Sequence, residues 1–512
     1  MMGSSSEELR GGSPMADTVS KDSAGTRGEL SVSRRQALLA LGAAMLGGGQ
    51  AYAQQERRRN GPWKQTIPSL DLKLVRRITM GLSEYELGLV AQMGYDGYLE
   101  YHLDHLAIDD SALQSMLGTY NSLTMEPWQL YALGGTPALD LTDAQILRSA
   151  LSRRQLYGRM VEFWTDHFNI YIYRGECQYL KIVDDRDVIR PHALGRFPDL
   201  LSASVHSPAM LVYLDNVTSK RLNPNENYAR ELLELHTLGV NGGYTQTDVI
   251  EVARCLTGWT RHGSAAGTDR GRFYFQASNH DNNAKRVLGV DIAANGGQQD
   301  GELVIQILAA HPSTARYIAS KLCRWFWGES PPESLIDSAA ARYAQTGGDI
   351  KAMLRVILAR ESLALAPMKF KRPYHLAVSA LRAVKATINS PATLRSVWLP
   401  QMGQTPFRWV PPDGYPDSKE FWMGLLAPRW NIGFSMFSPG INGVSVSTTS
   451  LLQGANTAET IANRINYLLF GGEMRPPDLA ALKKYLLPDP PSATRISDAF
   501  ALALASPSFQ WY

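Results

Sequence analysis

One short stretch of this chain is punctuated at both ends, and it fixes what its neighbours can be. Pro224 cannot sit inside a helix, Asn225 is a good N-cap, and Gly239 is a natural helix stop. At about 100° per residue, Tyr228, Leu232 and Leu235 share one face, which is predicted to be buried. Glu226, Arg230 and Glu234 follow one another at four-residue intervals on the other side, with Asn227 and Thr237 close by. Glu231 and His236 fall at the two edges of the apolar face. Asn241-Gly242-Gly243-Tyr244 then makes a turn, and Thr245, with Asp248 at capping-box distance, opens a second helix running to Thr257. Helix, glycine turn and helix make an αα-hairpin.

The charges on this stretch have two readings. A solvated ladder of pairs, each contributing about 0.2–0.5 kcal/mol, accounts for Glu226, Arg230 and Glu234. A site accounts better for groups beside the core, because partial burial shifts the pKa of a titratable side chain. Glu231 and Glu234 are therefore candidate acid/base catalysts or metal ligands, with His236 assisting. Asn225, Glu226, Asn227 and Arg230 are candidate substrate-binding residues.

From Leu70 onward the apolar periodicity is helical almost throughout. Ser83 with Glu86 caps a helix from Tyr85 to Met93, and further helices are expected over 95–105 and 110–120. Thr142 is expected to cap one long run from Asp143 to about Tyr171. Its core face carries Phe163 and Trp164, and His167 lies on the same side. Helices over 178–194 and 197–215 lead into the central motif. Pro312, Pro331-Pro332, Asp349 and Pro373 start later helices, and two more are expected over 457–470 and 493–505. Residues 258–300 break the pattern. Arg272-Phe273-Tyr274-Phe275-Gln276 alternates as a strand, with Val287-Leu288-Gly289-Val290 as its expected hairpin partner. The fold class is mainly α: one large multi-helix domain over 70–512 with a small β-hairpin insertion at about 272–290.

The loop between those strands carries His280, Asp281 and Lys285. A loop held by a scaffold is where function concentrates. His280 and Asp281 are candidate catalytic residues that would reach the Glu231/His236 region, with Lys285 and His167 binding substrate. An Asx-rich surface turn is the structural alternative. Lys369, Lys371 and Arg372 place three cations just before a helix start, against the helix dipole. Something anionic should lie near them, either a structural carboxylate or a substrate. Residues 398–440 are rich in Pro, Gly and Trp; they either stack on sugar rings or cover the core.

The N-terminus reads as targeting rather than structure. Ser33-Arg34-Arg35 precedes a short apolar run, 37–46, and Ala51-Tyr52-Ala53 is a small-x-small cleavage site. Paired arginines before such a run resemble a twin-arginine export signal over 1–53, although Ala37 stands where an aromatic is usual. The run is shorter than the ~20 residues of a spanning helix. Residues 54–69 form a linker. The mature chain is expected to carry no transmembrane helix and to reach the periplasm or the exterior. A formal charge of +3 over 512 residues gives no reason to expect nucleic acid as partner. Cys177, Cys255 and Cys323 are too few and too far apart for a disulfide framework.

The run from Pro224 to Arg254 resembles the signature of a large bacterial family, DUF1800. Phe163-Trp164-Thr165-Asp166-His167-Phe168, His280-Asp281 with Lys285, and His311-Pro312-Ser313-Thr314-Ala315 also match it. So do Lys321-Leu322, Lys369 with Lys371 and Pro373, and Ser506-Pro507-Ser508-Phe509-Gln510. The resemblance covers about residues 70–512. It implies no reaction. It implies export, and frequent company with a second exported family that resembles alkaline phosphatases and sulfatases.

Three functions stay open on these residues. The first is a hydrolase or lyase acting on an extracellular polymer through the Glu/His site. The second is a non-catalytic exported partner of a phosphatase- or sulfatase-like enzyme. The third is a helical protein holding a divalent metal with His and carboxylate ligands.

Overall fold

The computed structural model describes residues 67–437 and 440–512. The expected signal segment, and the linker as far as residue 66, lie outside the described residues. Helices dominate, and the strands are confined to three short antiparallel pairs. Among the described residues no helix is long and apolar enough to cross a membrane.

Two apolar clusters make up most of the core. The first gathers Ser69–Ile78, Glu84–Leu103 and Gln155–His167 with the central αα-hairpin and the helices from Gln299 to Leu365. The second gathers Ala138–Leu151 and Pro373–Ala383 with the C-terminal helices, including Ala458–Phe470 and Ala493–Ala505. The three cysteines are free and buried, Cys255 and Cys323 within the first cluster as their apolar surroundings predict.

Local capping chemistry places the helix ends. Asn225 accepts a hydrogen bond from the Asn227 amide at 3.0 Å. Thr245 and Asp248 form the expected capping box before Gln246–Cys255. Asp349 accepts from the Ala352 amide at 2.8 Å and starts Ile350–Ile357.

Three expectations are corrected. The run expected from Asp143 to Tyr171 is two helices, Ala138–Leu151 and Gln155–His167. Asp110 causes the break: its carboxylate accepts Ser152 Oγ at 2.7 Å and the Arg153 amide at 2.9 Å. Thr142 caps nothing, and its hydroxyl donates to the Ala138 carbonyl inside the helix. The strands also pair differently. Phe273–Phe275 pairs with Trp259–Arg261, and Lys285–Val287 with Val290–Ile292. Leu288 and Gly289 both have positive φ, so they close a two-residue turn and Val287 finds its partner locally. Finally, the central helix is α only over Glu226–Glu231 and π over Leu232–Leu238. The Thr237 hydroxyl donates to the Leu232 carbonyl five residues back at 2.6 Å, filling the widened turn.

Candidate functional site

The π-turn decides where the central side chains point. Adding a residue to the turn rotates everything after Leu232. Leu233, His236 and Thr237 become fully buried, and Leu235 is only partly so. His236 was expected at the edge of the apolar face and instead lies inside it, while Glu231 keeps its half-buried edge position. Gly239 ends the turn at φ +79, ψ 163, a region open to little but glycine. A Cβ there would stand 2.8 Å from the Tyr317 ring, so the same glycine lets the Pro312–Phe326 helix approach.

Three further elements close around this turn. The Gln155–His167 helix brings Asp166 and His167. The Pro312–Phe326 helix brings Tyr317 and Lys321. The aromatic-rich segment brings Trp409, Asp413 and Tyr415. That segment is pinned by Asn169, whose amide donates to the Trp409 and Pro411 carbonyls at 3.0 and 2.6 Å. Tyr213 donates to the Val410 carbonyl at 2.5 Å. Gly414, at φ +78, rests on the Asp166 carbonyl where any Cβ would collide.

The expected meeting of His167 with the central helix takes place. His167 Nε2 lies 3.1 Å from the His236 carbonyl, and the two rings are 6.1 Å apart. Both imidazoles are buried. Burial, reinforced by the Lys321 charge, holds His236 at a pKa of about 3 and lowers that of His167 well below the ordinary value. Both rings are therefore neutral at ordinary pH. Among the described residues His236 has no hydrogen-bond partner on either ring nitrogen.

Glu231 is the least satisfied carboxyl of the arrangement. Among the described residues its carboxyl has no hydrogen bond and no ion pair, although it is half-buried. Burial raises its pKa, and the charges of Glu234 and Asp413 add to the rise while Arg230 opposes it. Glu234 accepts the Tyr244 hydroxyl at 3.1 Å. Asp413 accepts only the Trp409 indole, at 2.9 Å.

Most of the other expected site residues are engaged elsewhere. Arg230 bridges Glu226 at 3.2 Å, and both bond to Gln246, which makes them the solvated pair of the first reading. Asn225 and Asn227 donate to the Asp215 and Leu214 carbonyls, each at 3.2 Å. The His280 loop does not join the cleft. His280 Nδ1 lies 2.8 Å from the Thr257 carbonyl, and its Nε2 lies 3.0 Å from Asp300. Lys285 reaches the same Asp300 oxygen at 2.6 Å, and Asp281 accepts from Arg254 at 2.7 Å. A buried Asp300, which the sequence reading did not single out, gathers this network to itself.

Two of the three cations before Pro373 find structural carboxylates. Lys369 binds Asp417 at 2.7 Å and donates to the Arg324 and Trp325 carbonyls that end the Pro312–Phe326 helix. Arg372 binds Asp166 at 2.6 Å and Glu162 at 2.5 Å, beside a cavity of about 30 Å³. Lys371 is buried over the Phe509 ring, 3.5 Å from its centroid. A larger cavity, about 240 Å³, lies beside Asp184 and Ser207. Its buried carboxylate is already satisfied by Lys181 at 2.5 Å and Ser207 at 2.6 Å.

The sequence reading gave Lys321 no site role, only a place in the family resemblance, and did not mention Asp413. Lys321 borders the apolar stripe of Ile318, Leu322 and Trp325, a placement that flags a half-buried lysine. Asp413 sits in a segment without periodicity, where no signal pointed to it. Among the described residues no group of three or more His, Cys, Asp or Glu side chains is arranged to hold a metal ion.

A family model described as a protein of unknown function, DUF1800, matches residues 73–511. No curated protein and no solved structure matches the chain.

Proposed function

The chain belongs to the DUF1800 family, whose description names no activity, and we propose from the surroundings of Glu231 that it is an acid/base hydrolase or lyase of an extracellular polymer. One observation carries this reading: the half-buried Glu231 carboxyl, unpaired, raised in pKa and set beside Glu234 and Asp413. Folding does not ordinarily leave a carboxyl in that condition without a use. Glu231 delivers a proton to the leaving oxygen. Glu234, held by Tyr244, is the partner carboxyl beside it. His167 and His236, buried and neutral, form a desolvating floor, rather than the substrate-binding and catalytic groups respectively first expected.

The polymer part of the reading rests on two supports. Ser33-Arg34-Arg35 and the segment after it mark residues 1–53 as a twin-arginine-type export signal, with the helical domain over 70–512 delivered to the periplasm or exterior. Trp409 and the half-exposed Phe421 stand ring to ring beside Asp413, 5.9 Å between centroids, and offer a face to a sugar ring.

The test is a panel of polysaccharides and other extracellular polymers, assayed with the wild type and Glu231→Gln. Loss of depolymerisation in a variant that melts no lower than the wild type supports the reading. Equal activity in both removes it. A second reading, a non-catalytic partner of a phosphatase- or sulfatase-like enzyme, draws on Leu222 and Val240. These two residues flank the central motif and are 90% and 69% exposed. Co-purification at fixed stoichiometry, undisturbed by Glu231→Gln, favours that alternative.

A further inference from the structure

The small cavity beside Arg372 is walled by three elements. Thr165 and Asp166 come from the Gln155–His167 helix, Arg372 from the turn before Pro373, and Gln404, Phe407 and Tyr415 from the loop that covers it. At about 30 Å³ it has room for about two waters or one hydroxymethyl group. Thr165 and Asp166 are half-buried and mark its open side. Its charge is closed. Arg372 binds Asp166 and Glu162, and Glu162 is bound again by Arg159 at 2.7 Å. Two guanidiniums against two carboxylates leave no charge for an ionic ligand to neutralise.

The hydrogen bonding of the cavity is not closed. Gln404 is 3% exposed, and its Oε1 accepts the Tyr374 amide at 2.9 Å. Its Nε2 has no hydrogen bond among the described residues and is not sealed in the core, so the cavity is the space left to it. Asp166 binds Arg372 through Oδ2 alone, and the Thr165 hydroxyl has no hydrogen bond among the described residues. A free donor, a free acceptor and a free hydroxyl around one uncharged space fit a group that both accepts and donates, which is an alcohol. Aromatic rings lead from the cavity to the surface. Tyr415 stands 5.1 Å from Trp409, and Trp409 stands 5.9 Å from the half-exposed Phe421. Apolar rings beside a few fixed polar groups suit the two sides of a sugar residue.

We propose that this cavity is a carbohydrate subsite, taking one hydroxyl or hydroxymethyl group of an uncharged polysaccharide whose next residues lie along Trp409 and Phe421. Gln404 Nε2 and the Thr165 hydroxyl donate to the sugar oxygen, and the sugar hydroxyl donates to Asp166 Oδ1. This deepens the polymer reading by naming its class and rests on that reading, but not on Glu231 as the acid.

The experiment immobilises the full chain and measures binding by interferometry. The probes are hydroxyethylcellulose, mixed-linkage β-glucan, galactomannan, arabinoxylan and dextran, with polyvinylpyrrolidone as a polymer that has no hydroxyls. At least one polysaccharide should bind, and polyvinylpyrrolidone should not. Gln404→Glu keeps an oxygen for the Tyr374 amide and sets an acceptor where the donor stood, so it should weaken binding at least about tenfold. Thr165→Val leaves the Tyr374 contact alone and should weaken binding in the same direction. Affinity unchanged in both variants while Phe421→Ala weakens it means that the cavity holds water only, and overturns the inference. Binding of no polysaccharide, or equal binding of polyvinylpyrrolidone, overturns it too. Glu231→Gln and a cleavage assay run in parallel separate the two ideas. Binding that depends on Gln404, with no cleavage by the wild type, keeps the subsite and removes the acid. Cleavage lost in Glu231→Gln, with binding indifferent to Gln404→Glu and Thr165→Val, keeps the acid and removes the subsite.

Discussion

His236 should make this protein measurably weaker in mild acid, and replacing it should remove that weakness. Its imidazole is fully buried, and neither nitrogen has a partner. Burial and the Lys321 charge hold its pKa at about 3 in the folded chain, against about 6.5 when unfolded. A group with a lowered folded pKa cannot take up the proton that the unfolded chain accepts. Stability is therefore intact above about pH 6.5 and falls with pH, until protonation of the folded state near pH 3 ends the loss. At about 1.36 kcal/mol per pH unit, His236 alone removes about 2 kcal/mol between pH 7.5 and 5.0. The full loss approaches about 5 kcal/mol near pH 3. His167 and His375, also lowered by burial, push in the same direction. His236→Leu deletes two unsatisfied polar atoms, so it should equal or exceed the wild type at pH 7.5. Between pH 7.5 and 5.0 it should lose about 2 kcal/mol less than the wild type. Urea unfolding followed by tryptophan fluorescence at both pH values measures the difference of differences. An identical acid loss in the two proteins would show that His236 is not held neutral by burial, and the description of the cleft floor would fall with it.

Glu231→Gln should raise the melting temperature above pH 7 while abolishing turnover. The native carboxyl has a raised pKa and its ionisation opposes folding as pH rises, an opposition the amide lacks. Wild-type turnover should fall as pH rises through that raised value, so a profile with an ordinary carboxyl limb argues against Glu231 as the acid. Gly239→Ala should cost roughly 1–3 kcal/mol from backbone strain alone, and more from its approach to Tyr317. A neutral result in thermal melts contradicts the tight turn. Lys369→Met should cost roughly 3–5 kcal/mol, because it strands Asp417 and two helix-end carbonyls. A loss below about 1 kcal/mol would place that pair among solvent-screened contacts.

Sequence legibility followed the range of the interactions involved. Asn225, Gly239 and the Thr245–Asp248 box act within a few residues, and the structure has them as read. The π-turn depends on Thr237 reaching back to Leu232 and on the burial of His236, neither of which a regular helical wheel contains. Asp110 breaks a helix some forty residues away, and no periodicity announces such a contact. The same holds for Asp300, which draws His280 and Lys285 away from the cleft they were expected to join. Lys369 and Arg372 show the converse. Cations set against a helix dipole demanded anions, and Asp417, Asp166 and Glu162 supply them.

The state of the cysteines sets how this protein tolerates its surroundings. Burial pushes all three thiols up to about 12, so almost no thiolate exists to react with an oxidant or a disulfide. No cross-link holds the described fold together, and none is waiting to form. Glutathione, quinones or air should leave its shape alone, and a redox boundary is one that this molecule can pass without being rebuilt.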